Sequence, residues 1–424
     1  MKNYNRRDFG INTKYVKKIP PIEVLSPAGD LTRLKAAVDF GANAVYFAGK
    51  EFGMRSAPGN FTFDELKEGI EYAHKNDCRA YITLNTLPRN NETAVIDEFI
   101  KEVAKYNPDA FIVTDLSAIE KVKEFAPDAE VHISVQTGIV NYETANFYYK
   151  LGAKRIVVAR ELTLKEIAEI REKTPDNLEI EAFVHGAICM SVSGRCLLSN
   201  YMTGRDSNHG DCAQPCRWNY RLVEEKRPGE YMPIYEDEQG TYILNAKDMC
   251  LIEHIPQLYN AGITSFKIEG RAKTEYYTAA VTNAYAKAVE AFEKSGFSDD
   301  FKLPESILKE VYKISHRDYS CGFYFGKPNE TQGQVYDNAG YIRDYELIAV
   351  VDDYQDGLAT VMQRNKFYPG TYDVLEPKRG SFEITVDKLF DKDMNELESA
   401  KFAADVVKFY SEPLKKGSFI RIKK

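Results

Sequence analysis

The chain has 424 residues, 44 % of them hydrophobic, and carries a formal net charge of −8, so there is apolar material for one large core and a smaller second one without help from disulfides. No segment approaches the ~20 consecutive apolar residues that span a bilayer, and the basic start MKNYNRRDFGINTKYVKKIPP lacks the apolar run of a secretory signal; a cytoplasmic protein with no membrane partner is expected. The negative balance excludes a general attraction to nucleic acid but leaves room for a local basic groove.

After an N-terminal extension over 1–20, short β-branched runs alternate with segments of helical period as far as about Ser295. The strand candidates in chain order are IEVLS (22–26), AVYFA (44–48), AYITLN (80–85), AFIVTD (110–115), VHISVQ (131–136), RIVVAR (155–160), IEAFVH (180–185) and SFKIEG (265–270). Between them LTRLKAAVDFG, FDELKEGIEYAHKN, VIDEFIKEVAKYN and TLKEIAEIREKT repeat apolar residues every three or four positions, as one-sided helices do. Eight such units favour an α/β fold of the closed (β/α)8 TIM type over 21–300, since open doubly wound sheets usually have fewer strands. Two loops are long: GKEFGMRSAPGNFT after the second strand, and an insertion over 186–262 after the seventh. Residues 301–344, rich in aromatics, Gly and Pro, read as an ordered linker. From 345 to 424 the pattern becomes short strands and turns (ELIAVVDD, LATVMQRN, TYDVLEP, FEITVDKLFD, SFIRIKK), which predicts a small all-β domain.

A barrel of this kind places its active site where the C-terminal strand ends meet the following loops. Asn85, Gln136, Arg160, Glu181, His185, Lys267 and Glu269 all fall on or just after predicted strands, as do Glu23, Ser26, Asp115 and Ser134, and Arg55 and Arg271 lie in adjoining loops. Helix capping, or a polar place in the barrel interior, is the competing role for each. The insertion holds Cys189, Cys196, Cys212 and Cys216, four of the chain's seven cysteines, within HGAICMSVSGRCLLSNYMTGRDSNHGDCAQPCRW. In a reducing compartment, grouped thiols are more often metal ligands or redox groups than disulfides. Four thiolates suit tetrahedral zinc or an iron–sulfur cluster, and the spacing alone leaves both open. Cys250 is the reserve ligand; Cys78 and Cys321 read as packing residues. The basic end LKKGSFIRIKK either contacts phosphates or forms a solvated tail.

These residues resemble peptidase family U32: EAFVHGAICMSVSGRCLLS (181–199), VLSPAGDLTRLKAAVDFGANAVYFAGKEFGMR, HISVQT, GDCAQPCRW, SFKIEGRAKTEYYTAAVTNAYAKAV and SHRDYSCGFYFG together extend the likeness over nearly the whole chain. The family name implies a collagenase-like protease, yet members of its better-understood branches are oxygen-independent hydroxylases of RNA or quinones. The length and GDCAQPCRWNY look most like the branch that hydroxylates the wobble uridine of tRNA. That resemblance implies a [4Fe–4S] cluster on Cys189, Cys196, Cys212 and Cys216, prephenate as oxygen donor, and tRNA and an unidentified electron donor as partners. A carboxylated donor needs cations, for which Arg55, Arg160, Lys267 and Arg271 are placed; His185 could carry protons, with Glu181 and Glu269 as acid–base or pairing groups and Asn85 and Gln136 as substrate contacts. The competing expectations are a peptidase and a zinc-stabilised module that binds RNA or protein. No Gly-x-Ser-x-Gly or His-Glu-x-x-His motif favours the first.

Overall fold

The computed structural model describes residues 21–50, 60–187, 196, 198–205, 211–215, 247–326, 341–402 and 405–424. The strands of its first sheet are β1 (Glu23–Pro27), β2 (Ala44–Phe47), β3 (Arg79–Leu84), β4 (Ala110–Val113), β5 (Glu130–Ile133), β6 (Arg155–Val157), β7 (Glu179–Ala187), β8 (Asp248–Cys250), β9 (Ser265–Ile268) and β10 (Tyr319–Ser320). β1 to β7 pair in parallel in chain order, and β9 pairs in parallel with both β7 and β1, so eight strands close a TIM-type barrel. The helices between them are α1 (Leu31–Asp39), α2 (Phe63–Lys75), α3 (Thr93–Ala104), α4 (Leu116–Phe125), α5 (Tyr142–Lys150) and α6 (Leu164–Glu172). Next come α7 (Leu198–Thr203), α8 (Ile255–Asn260), α9 (Glu275–Lys294) and α10 (Glu305–Glu310). The eight predicted strands all form, each within two residues of its expected start. The predicted insertion contains more than a cysteine loop: it includes β8, which runs antiparallel to the far end of β7, and α8, the helix that leads into β9.

Local sequence explains the helix starts. Thr62 and Thr163 accept the backbone N–H groups of Glu65 and Glu166, whose carboxylates bind back to the threonines, satisfying donors that the first turns of α2 and α6 leave open. Asp115, one of the candidate mouth residues, is the cap of α4 and accepts from the Ser117 N–H at 2.9 Å. Apolar faces of the helices pack on the outward residues of the strands, and a single cluster from Ile22 to Phe419 forms the main core.

Residues 301–344 carry α10 and β10; β10 pairs with β8 and thereby extends the barrel sheet. The C-terminal strands are β11 (Tyr345–Gln355), β12 (Leu358–Gln363), β13 (Gly370–Glu376), β14 (Gly380–Val386), β15 (Leu389–Phe390), β16 (Glu396–Leu397), β17 (Val406–Tyr410) and β18 (Phe419–Lys423). They form a separate antiparallel sheet around its own core. The basic C-terminus is not a solvated tail: β18 lies between β11 and β13, with Phe419, Ile420 and Arg421 buried. Arg421 locks the two domains together, donating from Nη1 to the Tyr276 hydroxyl at 2.9 Å and from Nη2 to Glu310 at 2.6 Å, while its Nε binds Asp373 at 3.0 Å. No described helix is long and apolar enough to cross a membrane.

Candidate active site at the barrel mouth

Side chains alternate along each strand, so the barrel interior is built in layers. The lowest layer comes from the first residues of strands: Glu23, Arg79, Arg155, Glu179 and Ser265. Arg155, buried, donates to Glu23 at 2.5 Å, Glu179 at 2.6 Å and Glu181 at 3.0 Å, and to the Ser265 hydroxyl at 3.2 Å. Glu23 also accepts from Arg79 and from the Tyr81 hydroxyl. Burial pushes the Glu23 carboxyl up, but Arg155 chiefly, with Arg79 and Tyr81, outweighs it and holds the group at about 2. One layer higher, Lys267 donates to Glu181 at 2.6 Å and stands 4.4 Å above the Tyr46 ring. Burial again opposes ionisation of Glu181, and Lys267 and Arg155 reverse the balance, leaving its pKa below the ordinary carboxylate value. Three cations and three carboxylates therefore form one interlocked set through the lower and middle barrel.

Glu23 thus lies at the closed end, away from the mouth, because it opens its strand. His132, buried beside Arg155 and edge-on to Tyr81 at 4.8 Å, is pushed down to about 3, first by burial. Ser26 faces outward and shares a 2.7 Å hydrogen bond with Thr282 on α9.

The open end carries the remaining candidates. Arg160 stacks its guanidinium 3.8 Å from the centre of the Phe183 ring, donates from Nη1 to the Ala187 carbonyl at 3.0 Å, and lies 3.4 Å from Glu269. Its Nε is buried and has no hydrogen-bond partner. Ala187 stands two residues before Cys189, so Arg160 holds the strand where the cysteine insertion leaves it. Gly186 permits that departure: its φ is +106°, and a Cβ there would meet the Glu269 carbonyl oxygen at 2.5 Å. Across the mouth, Thr114 donates to the backbone carbonyl of Asn85 at 3.2 Å and to the Gln136 side chain at 3.1 Å, joining the ends of β3 and β4 to the turn after β5. Arg271 is buried and donates to Asn60 at 2.6 Å.

His185 does not join this group. A register shift between Phe183 and His185 turns the latter out of the barrel wall, where it is buried among the rings of Tyr277, Tyr285 and Tyr319 at 5.4–6.0 Å. Burial pushes its pKa down to about 3, so at neutral pH the ring is uncharged. Arg55, Cys189 and Cys216 lie outside the described residues.

Two of the four grouped cysteines can be placed. Cys196 lies just before α7, and Cys212 adjoins Ala213, whose N–H binds the α7 residue Ser199 at 2.9 Å; Arg205 and Asp211 pair at 2.7 Å. These contacts tie residues 211–213 to α7 and to Arg205 just after it. Cys212 Sγ accepts the Gln214 N–H at 3.3 Å, the kind of backbone donor that stabilises a ligating thiolate. By donor type the thiols of Cys196 and Cys212 fit a thiolate-bound metal centre, although the described residues by themselves contain no group of three or more His, Cys, Asp or Glu that could hold a metal ion. Cys250 lies on β8 opposite His185, and its thiol is pushed up to about 12 by burial, which suits a packed thiol better than a ligand.

The model of peptidase family U32 matches residues 29–334, and that of the family's C-terminal domain matches 343–421. The chain belongs to peptidase family U32. A Bacillus subtilis relative, "tRNA hydroxylation protein P1", is 37 % identical over 402 residues, covering 94 % of each chain. The Escherichia coli "tRNA hydroxylation protein P" is 34 % identical over 87 % of this chain and 88 % of its own length. An "uncharacterized protease" of Methanocaldococcus jannaschii is 44 % identical over 79 % of this chain and 81 % of its own. Sequence reasoning about this U32 chain missed Arg155, Arg79, Glu179 and Phe183. The first three were signalled by charges at the head of β-branched runs, and Phe183 by its two-residue spacing from Glu181.

Proposed function

We propose that the protein hydroxylates the wobble uridine of tRNA without dioxygen, replacing the C5 hydrogen by a hydroxyl group that prephenate donates. Two relatives named for tRNA hydroxylation align with most of the chain and support the RNA substrate. The observation that carries the reading at the site is Arg160: a partly buried guanidinium with a spare Nε donor, at the rim from which the cysteine insertion springs. A carboxylated donor there would take the Nε–H and displace the 3.4 Å contact with Glu269, and the planar fork would fix its orientation. The Lys267–Glu181 pair beneath would keep the floor of the mouth electrically neutral, so the donor's charge is met by Arg160. Asn85 and Gln136, on the opposite wall, would offer amide groups to the polar edge of an unstacked base. Cys189, Cys196, Cys212 and Cys216 would hold a [4Fe–4S] cluster, which when bound supplies one-electron chemistry. Exchange of the C5 hydrogen for a hydroxyl at the oxidation level of water, with prephenate leaving as phenylpyruvate and carbon dioxide, releases two electrons and two protons, so the step needs a separate electron acceptor besides tRNA.

The test is nucleoside mass spectrometry of tRNA from a strain lacking this gene. The expected result is loss of the hydroxyl-derived modification at the wobble uridine, restored by the wild-type gene. Arg160→Ala should fail to restore it while the purified variant keeps its iron. An unchanged nucleoside profile in the deletion strain overturns the proposal, as does full restoration by Arg160→Ala for the donor site.

A further inference from the structure

Between the barrel and the C-terminal domain lies a groove of about 580 Å³. Its barrel wall is the turn after β9 and the start of α9, Ala272 to Tyr277; its other wall comes from β11 and the turn after β12, with Lys424 at one end. The groove wall touches the residues of the mouth through Tyr277, whose hydroxyl donates to the Glu269 carbonyl at 3.2 Å, while the Glu269 carboxylate lies 3.4 Å from Arg160. Four cations line it: Lys273, Arg343, Arg364 and Lys424. Among the described lining residues the sole carboxylate is Glu346, which is already engaged by Asn365 at 2.7 Å and Lys424 at 3.7 Å. Lys273, Arg343 and Arg364 make no ion pair with any described carboxylate. Lys273 instead stands over the rings of Tyr277 and Tyr341, at 5.1 and 4.7 Å, and Arg343 donates to the Ser315 hydroxyl at 3.3 Å. Glu275 sits near enough to Arg364 to feel its charge, which opposes the upward push of burial on its carboxyl, but the two make no ion pair.

By contrast Lys101 on α3, and Lys105 and Lys173 at the C-caps of α3 and α6, are each neutralised by a glutamate three or four residues away. On a chain of net charge −8, three uncompensated cations on one groove make a local positive field that the overall charge hides. The N-terminus of the 20-residue helix α9 opens onto the same groove and adds its dipole. A strip of positive charge edged with tyrosine rings is what a phosphodiester backbone with unstacked bases requires.

We infer that this inter-domain groove binds the RNA backbone flanking the base held in the barrel mouth. The inference rests on the tRNA reading above. It also gives the C-terminal domain a role, in which β11 and the turn after β12 form one side of the RNA track and Arg421 keeps that side at a fixed distance from the mouth.

Filter binding of unmodified tRNA to anaerobically purified full-length protein over a range of salt tests the groove. Each lost phosphate contact should lower the slope of log K against log salt by about one, or about 0.7 if the contacted strand is single. The triple variant K273A/R343A/R364A should therefore show a slope reduced by about two, with binding about 10- to 100-fold weaker at the lowest salt. The control K101A/K105A/K173A should match wild type. R343K/R364K, which keeps both charges, should retain the wild-type slope and so excludes misfolding as the cause. A triple variant with the wild-type slope overturns the groove, and so does weaker binding without a change of slope. Failure of the tRNA reading is separate: the wild-type protein itself would then neither bind tRNA nor alter its nucleosides.

Discussion

Replacing Arg155 by Met tests whether the interior of the barrel is held by charge. Arg155 is 1 % exposed and is the main partner that keeps Glu23 ionised, at about 2 against 4.5 in the unfolded chain. At 1.36 kcal/mol per tenfold change in proton affinity, that difference is worth about 3 kcal/mol to the fold. Because the folded value is the lower one, this stability is present above about pH 4.5 and is lost as the pH falls towards 2. Arg155→Met reverses the situation. Glu23 and Glu181 stay buried, Arg79 and Lys267 compensate them only in part, and burial then raises their carboxyl pKa values. The variant should lose about 3–5 kcal/mol near pH 7.5, the range seen when one partner of a buried ion pair is removed.

The pH profile discriminates better than the size of the loss. A carboxyl whose folded pKa is raised contributes stability below its unfolded value and loses it as the pH rises through the folded one. Wild-type stability should therefore climb from about pH 2 to about 4.5 and level off, whereas that of the variant should fall from about pH 4.5 towards neutrality. Urea unfolding followed by circular dichroism near pH 4 and near pH 7.5 measures both. Adding Glu23→Gln to the variant should recover part of the loss, since it removes one of the stranded charges. A deficit below about 1 kcal/mol, the same at both pH values, would refute an electrostatically coupled interior.

Two further outcomes follow from the same geometry. Ser in place of Cys189, Cys196, Cys212 or Cys216 should remove iron from anaerobically prepared protein, while Cys250→Ala and Cys78→Ala keep it; iron and sulfide analysis decides, and retention of iron by Cys212→Ser would displace Cys212 as a ligand. Arg421→Met leaves Glu310 and Asp373 with Lys313 but without their guanidinium and should cost about 1–3 kcal/mol, with limited proteolysis now cutting between the domains; an unchanged digestion pattern would show that Lys313 and the apolar contacts of Phe419 with Phe40 and Tyr276 suffice.

Elements were legible in the sequence where one physical signal dominated. The barrel strands are β-branched runs bounded by helices of clear period, and the starts of all eight could be read to within a residue, whereas the ends of β5 and β6 come three residues earlier than VHISVQ and RIVVAR suggest. In the C-terminal domain the signal was weaker. FEITVDKLFD, read as one strand, is β14 and β15, separated by the polar Asp387 and Lys388, and VVKFY, which forms β17, was missed because a five-residue run with one buried face looks like any exposed stretch. Candidate site residues on strands were found, but their level along the barrel axis was not. Glu23 and Arg160 both border a strand; one opens β1 at the closed end, while the other follows β6 at the mouth. His185 shows a further limit: a one-residue register shift moves a side chain from one face of a sheet to the other, and nothing in EAFVHGA announces it.

The distinction that mattered for function was therefore which cations have partners. Arg155, Lys267 and Arg421 are buried with carboxylates from distant parts of the chain, pairs such as Arg155–Glu23 that close only when the barrel closes. Their charge is consumed by the fold. Arg160 retains a spare donor at the mouth, and Lys273, Arg343 and Arg364 retain whole charges in the adjoining groove. An anionic donor and an anionic polymer could then bind side by side without disturbing the buried network, because Arg160 and the groove cations are not the residues on which the barrel's internal neutrality depends. Binding and folding stability should accordingly separate under mutation. Neutralising the groove should change the salt dependence of RNA binding and leave urea unfolding within about 0.5 kcal/mol of wild type, as for other surface substitutions, whereas Arg155→Met should do the reverse at any temperature where the variant remains folded.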